Sequence, residues 1–193
     1  MNKVLITGAN SGLGKHLVSK FTSKGYDVFE HKGRKHYDLS LQCDFNYLVE
    51  DAKKFGVNIL VNNAAIVCPN KKLSLYSETE IKEMIKINLT TPILLTYYLS
   101  DFLTNIININ SMVGLEIKSP RTLYSATKWG LRGFSQSLKL ENSKINVLDV
   151  YPTNIKTTPD KINAMDVNEV VSKIYKAFTQ NKTELILDGR PKK

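Results

Sequence analysis

The chain has 193 residues, 42% hydrophobic and 23% charged, and a net charge of +9 from 27 Lys and Arg against 18 Asp and Glu. That length suits one domain over residues 1–193 with one sizeable core, and the apolar content argues against a disordered chain. No apolar run reaches the roughly eighteen residues of a membrane span, and the charge, though it draws anions, is scattered without an arginine–aromatic stripe, so neither membrane nor nucleic acid is an expected partner.

Cys43 and Cys68 have neither a metal-ligand spacing nor a disulfide framework, and His16, His31 and His36 have no ligand spacing, so no metal site is expected. The cysteine usage and a short apolar start at Val4–Thr7 that a glycine loop interrupts fit a cytoplasmic protein.

In chain order, apolar β-branched runs occur at Lys3–Thr7, Asp27–His31, Asn58–Asn62, Ile106–Asn110, Ile145–Tyr151 and Leu185–Leu187. Helical patterns separate them at Leu13–Ser23, Tyr47–Phe55, Glu78–Leu103, Tyr124–Glu141 and Val167–Gln180. The alternation predicts an α/β fold, a parallel sheet with helices on both faces. Ser77-Glu78-Thr79-Glu80 puts hydroxyls and acids at a helix start, while Thr79 with Lys82 does not make a capping box. Trp129, Phe134 and Leu138 read as core packing. Between His31 and Tyr37-Asp38-Leu39 the chain is too short for a crossover helix, so that helix is expected to be missing, with Tyr37–Leu39 at most a vestigial edge strand.

Thr7-Gly8-Ala9-Asn10-Ser11-Gly12-Leu13-Gly14 follows the first strand and opens a helix. Glycines there permit a tight turn and close approach to a pyrophosphate, and the helix start offers free N–H groups. A plain β–α turn would look similar, but the position after the first strand of an alternating chain favours a dinucleotide site. Tyr124 and Lys128 stand at i and i+4, on one helix face. A nearby ammonium favours phenolate over a phenol of pKa about 10, which suits Tyr124 to general acid/base work. Alone, the pair would read as a surface couple, Ser111 as a strand-end cap and Asn88 as a buried amide.

Thr-Gly-x-x-x-Gly-x-Gly at 7–14, Asn62-Asn63-Ala64-Ala65, Ile87-Asn88-Leu89, Ser111, and Tyr124-Ser125-Ala126-Thr127-Lys128 thirteen residues later run in one order along nearly the whole chain. In these motifs the chain resembles the short-chain dehydrogenase/reductase family. The resemblance implies a Rossmann-type doubly wound sheet of six to seven strands. It also implies an oxidoreductase that moves a hydride between nicotinamide and a carbonyl or alcohol carbon. Lys128 would then assist Tyr124 and bind the nicotinamide ribose, Ser111 would hold the substrate oxygen, and Asn88 would hold a relay water.

By the same resemblance the cofactor lies on Gly8, Asn10, Ser11, Gly12, Leu13 and Gly14, beside Asn63 and Ala64. Asp38 and Leu39 border the adenine, and Pro152, Ile155 and Thr157 lie near the carboxamide. Thr153 stands where relatives carry glycine. Lys32 occupies the position where NAD enzymes tend to carry aspartate, and Arg34 follows, which favours NADP(H); Glu30 would favour NAD(H) if the second strand ended earlier. Only Thr158–Met165 stands where relatives insert a helical lid, which predicts an open, shallow site. A homodimer or homotetramer is expected from the family. The alternative to an enzyme is a non-catalytic NADP(H)-binding sensor on the same fold, which the short crossover and missing lid favour. The intact Asn88, Ser111, Tyr124 and Lys128 favour the enzyme.

Overall fold

The structure, a computed structural model, describes residues 2–67, 70–157 and 164–190. Its strands are β1 (Lys3–Thr7), β2 (Asp27–His31), β3 (Ile59–Asn62), β4 (Asn105–Ile109), β5 (Asn146–Pro152), the short β6 (Ile155–Lys156) and β7 (Met165–Asp166), and β8 (Glu184–Leu187). Six of them form one parallel sheet in the order β2-β1-β3-β4-β5-β8.

Helices α1 (Gly12–Ser23) and α6 (Val167–Thr179) cover one face; α2 (Gln42–Phe55), α4 (Thr91–Leu99) and α5 (Thr122–Glu141) cover the other. Because successive strand residues point to opposite faces, Val4 and Ile6 pack with Leu17 and Phe21 of α1, while Leu5 packs with Leu48 of α2 and Leu95 of α4. Burial on both faces is why these strands read as unbroken apolar runs. The chain leaves β1 for β2 on one side and then returns to β3 on the other. The crevice beyond the carboxyl ends of β1 and β3 is therefore the topological switch point where such sheets hold ligands.

Residues 32–41 between β2 and α2 contain neither helix nor strand, so the crossover helix is absent and β2, paired only with β1, is the sheet edge. Other elements differ from their sequence pattern. α2 begins at Gln42 rather than Tyr47, because the buried stripe starts with Phe45; Tyr47 faces solvent. The helix expected over 78–103 is α3 (Glu78–Ile85), a π turn at Lys86–Thr90, and α4, which ends at Leu99. Pro92 has no N–H to give the carbonyl of Asn88, four residues earlier, and the ladder shifts by one residue there.

Ser77 does form a capping box, with Glu80: its hydroxyl accepts the Glu80 N–H at 3.2 Å and the Glu80 carboxylate accepts the Ser77 N–H at 2.8 Å. Trp129 is exposed rather than core, whereas Leu138 packs inward. The parallel pair β6–β7 brackets the expected lid, whose residues 158–163 lie outside the described residues, as does Cys68. Cys43 is exposed.

Candidate active site

A cleft of about 590 Å³ opens at the switch point and brings together most of the residues that the motifs single out. Its floor at one end is the glycine loop, where Gly8, Asn10, Ser11, Gly12 and Leu13 line the cavity. Gly8 sits at φ +65°, and a Cβ on it would lie 3.0 Å from the Cα of Ala64. Gly14 does not line the cleft; a Cβ there would lie 2.1 Å from the carbonyl oxygen of Gly8, so its role is to let α1 close on the loop. Ser11, the N-cap residue just before α1, makes no side-chain cap, which leaves first-turn N–H groups facing an anion's place.

Thr7 and Asn63 tie the loop to β3. The Thr7 hydroxyl accepts the N–H groups of Asn63 and Ala64, both at 3.0 Å, and the Asn63 amide donates to the carbonyls of Thr7 and Gly8 at 2.8 and 3.1 Å. His31 ties it to β2 and the crossover. Its Nδ1 accepts the Gly8 N–H at 3.1 Å while Nε2 meets the Tyr37 carbonyl at 2.8 Å, so the proton sits on Nε2. The ring is buried, and burial holds its pKa below the usual histidine value. Neither role of Thr7 nor of His31 was evident from the motifs; the only signal was their place at strand ends flanking a glycine loop.

At the crossover end Arg34, Asp38 and Leu39 line the cleft, and Lys32 and Glu30 do not. Glu30 is inside β2 opposite Ile6, and Lys32 points outward with its ammonium 3.6 Å from the Glu30 carboxylate. Arg34 forms an ion pair with Glu83 of α3. Asp38 accepts both the N–H and the hydroxyl of Ser40, which holds its carboxyl below the ordinary range.

The other end is built by β4, α5 and the segment after β5. Ser111 follows β4, and its hydroxyl accepts the Val113 N–H at 3.3 Å. Tyr124 and Lys128 project from α5 and both are buried, at 5% and 2% exposure, although both line the cleft. Lys128 Nζ lies 5.7 Å from the centre of the Tyr124 ring and donates to the Ile109 carbonyl at 2.9 Å. Burial lowers its pKa to about 8. Asn110 braces this corner, donating to the Lys128 carbonyl at 3.2 Å and accepting the Ser111 N–H at 2.9 Å. Pro152, Thr153, Ile155 and Thr157 complete the wall.

Asn88 is buried behind the cleft rather than lining it. Its side chain accepts the Ile66 N–H at 2.7 Å and donates to the Ile66 carbonyl at 3.0 Å, so its amide is spent on holding the segment after β3.

The arrangement fits a dinucleotide: a backbone cradle that a Cβ would fill at Gly8, uncapped helix amides beside it, and a phenol and an ammonium at the far end. Comparison with known proteins agrees. The short chain dehydrogenase family profile matches residues 35–167. The chain is 33% identical over 202 residues, covering 88% of it and 80% of the relative, to the 3-oxoacyl-(acyl-carrier-protein) reductase FabG of Buchnera aphidicola subsp. Schizaphis graminum. The Aquifex aeolicus protein of the same description is 31% identical over 172 residues, 75% of this chain and 69% of that one. Among solved structures, the bulky-bulky ketone specific alcohol dehydrogenase from Comamonas testosteroni superposes with a TM-score of 0.83 at 26% identity, covering 96% of this chain and 86% of that one. A short-chain dehydrogenase from Sphingobium yanoikuyae, solved with NADPH, shares the fold with a TM-score of 0.82 at 22% identity over 96% and 87% of the two chains. On the extent of the profile match and the identity to these relatives, the chain belongs to the short chain dehydrogenase family.

Proposed function

We propose that the chain is an oxidoreductase that moves a hydride between a nicotinamide dinucleotide, NADP(H) in preference to NAD(H), and the carbonyl or alcohol carbon of a small molecule. One observation carries this reading: a buried phenol and a buried ammonium, Tyr124 and Lys128, face the same cleft as the glycine loop. The bound nicotinamide supplies or accepts the hydride. Tyr124 gives its proton to the oxygen of a ketone, or takes one from an alcohol. Lys128, as an ammonium, favours the charged form of that phenol. Ser111 donates to the same substrate oxygen, and Asn88 holds the segment after β3 in place and offers its main-chain carbonyl to a relay water.

The glycine loop and the first turn of α1 would hold the pyrophosphate, Asp38 and Leu39 the adenine, and Asn63, Ala64, Pro152, Ile155 and Thr157 the nicotinamide side. The preference for NADP(H) rests on Arg34, which lines the cleft where no acid ends β2: Glu30 is held within the strand, and the strand ends on the buried His31. Lys32, turned toward Glu30, contributes nothing to it. The neighbours of the same fold include a short-chain dehydrogenase solved with NADPH and a 4-hydroxyisoleucine dehydrogenase solved with NADH, so the fold does not choose between the two cofactors and Arg34 is the discriminating residue.

The test is oxidation of NADPH and NADH followed by absorbance against ketones, aldehydes and quinones, with Tyr124→Phe as control. Turnover should fall on the order of 10²–10⁴-fold in Tyr124→Phe with cofactor affinity retained, and NADPH should be the better donor. Unchanged turnover in the variant would remove Tyr124 from this role, and tighter NADH binding would remove Arg34 from its own.

A further inference from the structure

Two carboxylates line the cleft, and both are engaged. Asp38 is held by Ser40 at the crossover end, 2.8 Å from its N–H and 2.7 Å from its hydroxyl. Glu116, at the substrate end, takes both terminal nitrogens of Arg190 at 2.7 and 2.8 Å, and Arg190 is further claimed by Asp188. That leaves the substrate end with two cations of different standing. Arg121 stands three residues ahead of Tyr124, half-buried in the cleft wall. Its Nε–H is fixed on the Asn70 side-chain oxygen at 2.9 Å, and the same two loops are pinned by the Lys71 N–H on the Pro120 carbonyl at 3.1 Å. Among the described residues it forms no ion pair, whereas Arg34 and Arg190 each have a carboxylate. Lys118 lines the same end and likewise forms no ion pair among the described residues; the neighbouring Glu116 is already matched by Arg190.

A guanidinium anchored through Nε keeps its other N–H groups in a fixed fork, the geometry that takes a carboxylate or phosphate by two bonds. Holding it half-buried in a cleft wall without a protein carboxylate gives up stabilisation that Arg34 and Arg190 obtain, and an anion from solution restores it. We propose that Arg121, assisted by Lys118, reads an anionic group on the substrate, so that the cleft takes ketones or alcohols carrying a carboxylate or phosphate ester in preference to neutral ones. This rests on the reading of the cleft as a hydride-transfer site, but concerns binding, which can be measured without turnover.

Calorimetric titration into the NADP⁺-loaded protein compares 4-oxopentanoate with 2-pentanone, and dihydroxyacetone phosphate with dihydroxyacetone. A charge-assisted pair corresponds to about 10- to 100-fold tighter binding of the anion, declining with added salt. In Arg121→Gln the anion-to-neutral ratio should collapse toward unity, and Arg121→Lys should recover part of it. Lys118→Gln should lower the ratio less, and serves if Arg121→Gln does not fold; Lys72→Gln, outside the cleft, should leave it unchanged. The larger ratio identifies carboxylate or phosphate as the group read. Equal affinity for the members of both pairs, no binding of either anion, or an undiminished ratio in Arg121→Gln would overturn the proposal. Turnover of neutral ketones without any anion preference would sink this proposal and leave the hydride-transfer reading standing; anion preference without turnover would do the reverse.

Discussion

Lys128 illustrates how a residue can serve the site at the expense of the fold. Its ammonium is almost fully buried and donates to the Ile109 carbonyl, and burial lowers its pKa from 10.5 to about 8. A depressed lysine pKa means that the unfolded chain binds the proton more tightly, so stability rises with pH between about 8 and 10.5 and the full cost is felt below 8. Lys128→Met should therefore raise stability at pH 7, on the order of 1–3 kcal/mol, with a gain that shrinks toward pH 10 and with turnover lost; thermal melts at the two pH values check it. His31 acts in the same direction at lower pH. Burial lowers its pKa below 6.5, so stability is complete above that value and falls as the pH drops below it, when the unfolded chain takes up the proton. Protonated Nδ1 would also face the Gly8 N–H donor-to-donor. Cofactor affinity should weaken only as the pH falls through the lowered pKa of the folded ring, below the 6.5 at which stability begins to drop, and His31→Gln, which can keep an acceptor and a donor, should flatten both trends.

At the scale of elements, the π turn at Lys86–Thr90 shows a local sequence rule shaping the helix that carries Asn88. Periodicity shows one long helix through this stretch, and helix there is; what periodicity does not show is the one-residue slip, which follows from the missing N–H of Pro92. Pro92→Ala supplies that donor. The expected result is a regular helix with melting temperature unchanged or raised, and turnover reduced severalfold as the new N–H competes for the Asn88 carbonyl in the proposed relay; amide exchange at residue 92 with steady-state kinetics tests both halves. α2 carries a similar lesson: the sequence pattern is read only from Tyr47, whereas the helix starts at Gln42, where the Asp44 carboxylate accepts the Asp38 N–H of the preceding loop at 2.8 Å. The capping box at Ser77 was within reach of the sequence, since serine followed three residues later by glutamate is its signature.

For the whole molecule, the shortened crossover makes β2 an edge strand, and an edge strand offers unpaired backbone groups to other chains. Asp27 and Glu30 within it, with Lys32 next to it, are the charged residues that discourage such pairing. The outer sides of α4 and α5 are different, exposing Tyr97, Trp129 and Leu140. We propose that the homodimer or homotetramer expected from the family forms through that pair of helices, where these large apolar side chains would be covered. Light scattering should give a mass of at least twice 21.8 kDa, and Trp129→Glu should shift it toward monomer.

The alternation of buried strands and amphipathic helices, the glycine loop and the spacing of Ser111, Tyr124 and Lys128 were all legible in the chain, because each depends on local periodicity or on short-range stereochemistry. Which cations face the cleft was not. Lys32 and Arg34 are two residues apart and look equivalent in sequence, yet only Arg34 lines the cavity, since a side chain's direction depends on where the strand ends and on which carboxylate lies across from it. The same holds for His31 and Arg121: their surroundings come from segments far along the chain, and long-range packing, not residue type, gives a ring or a guanidinium its partners.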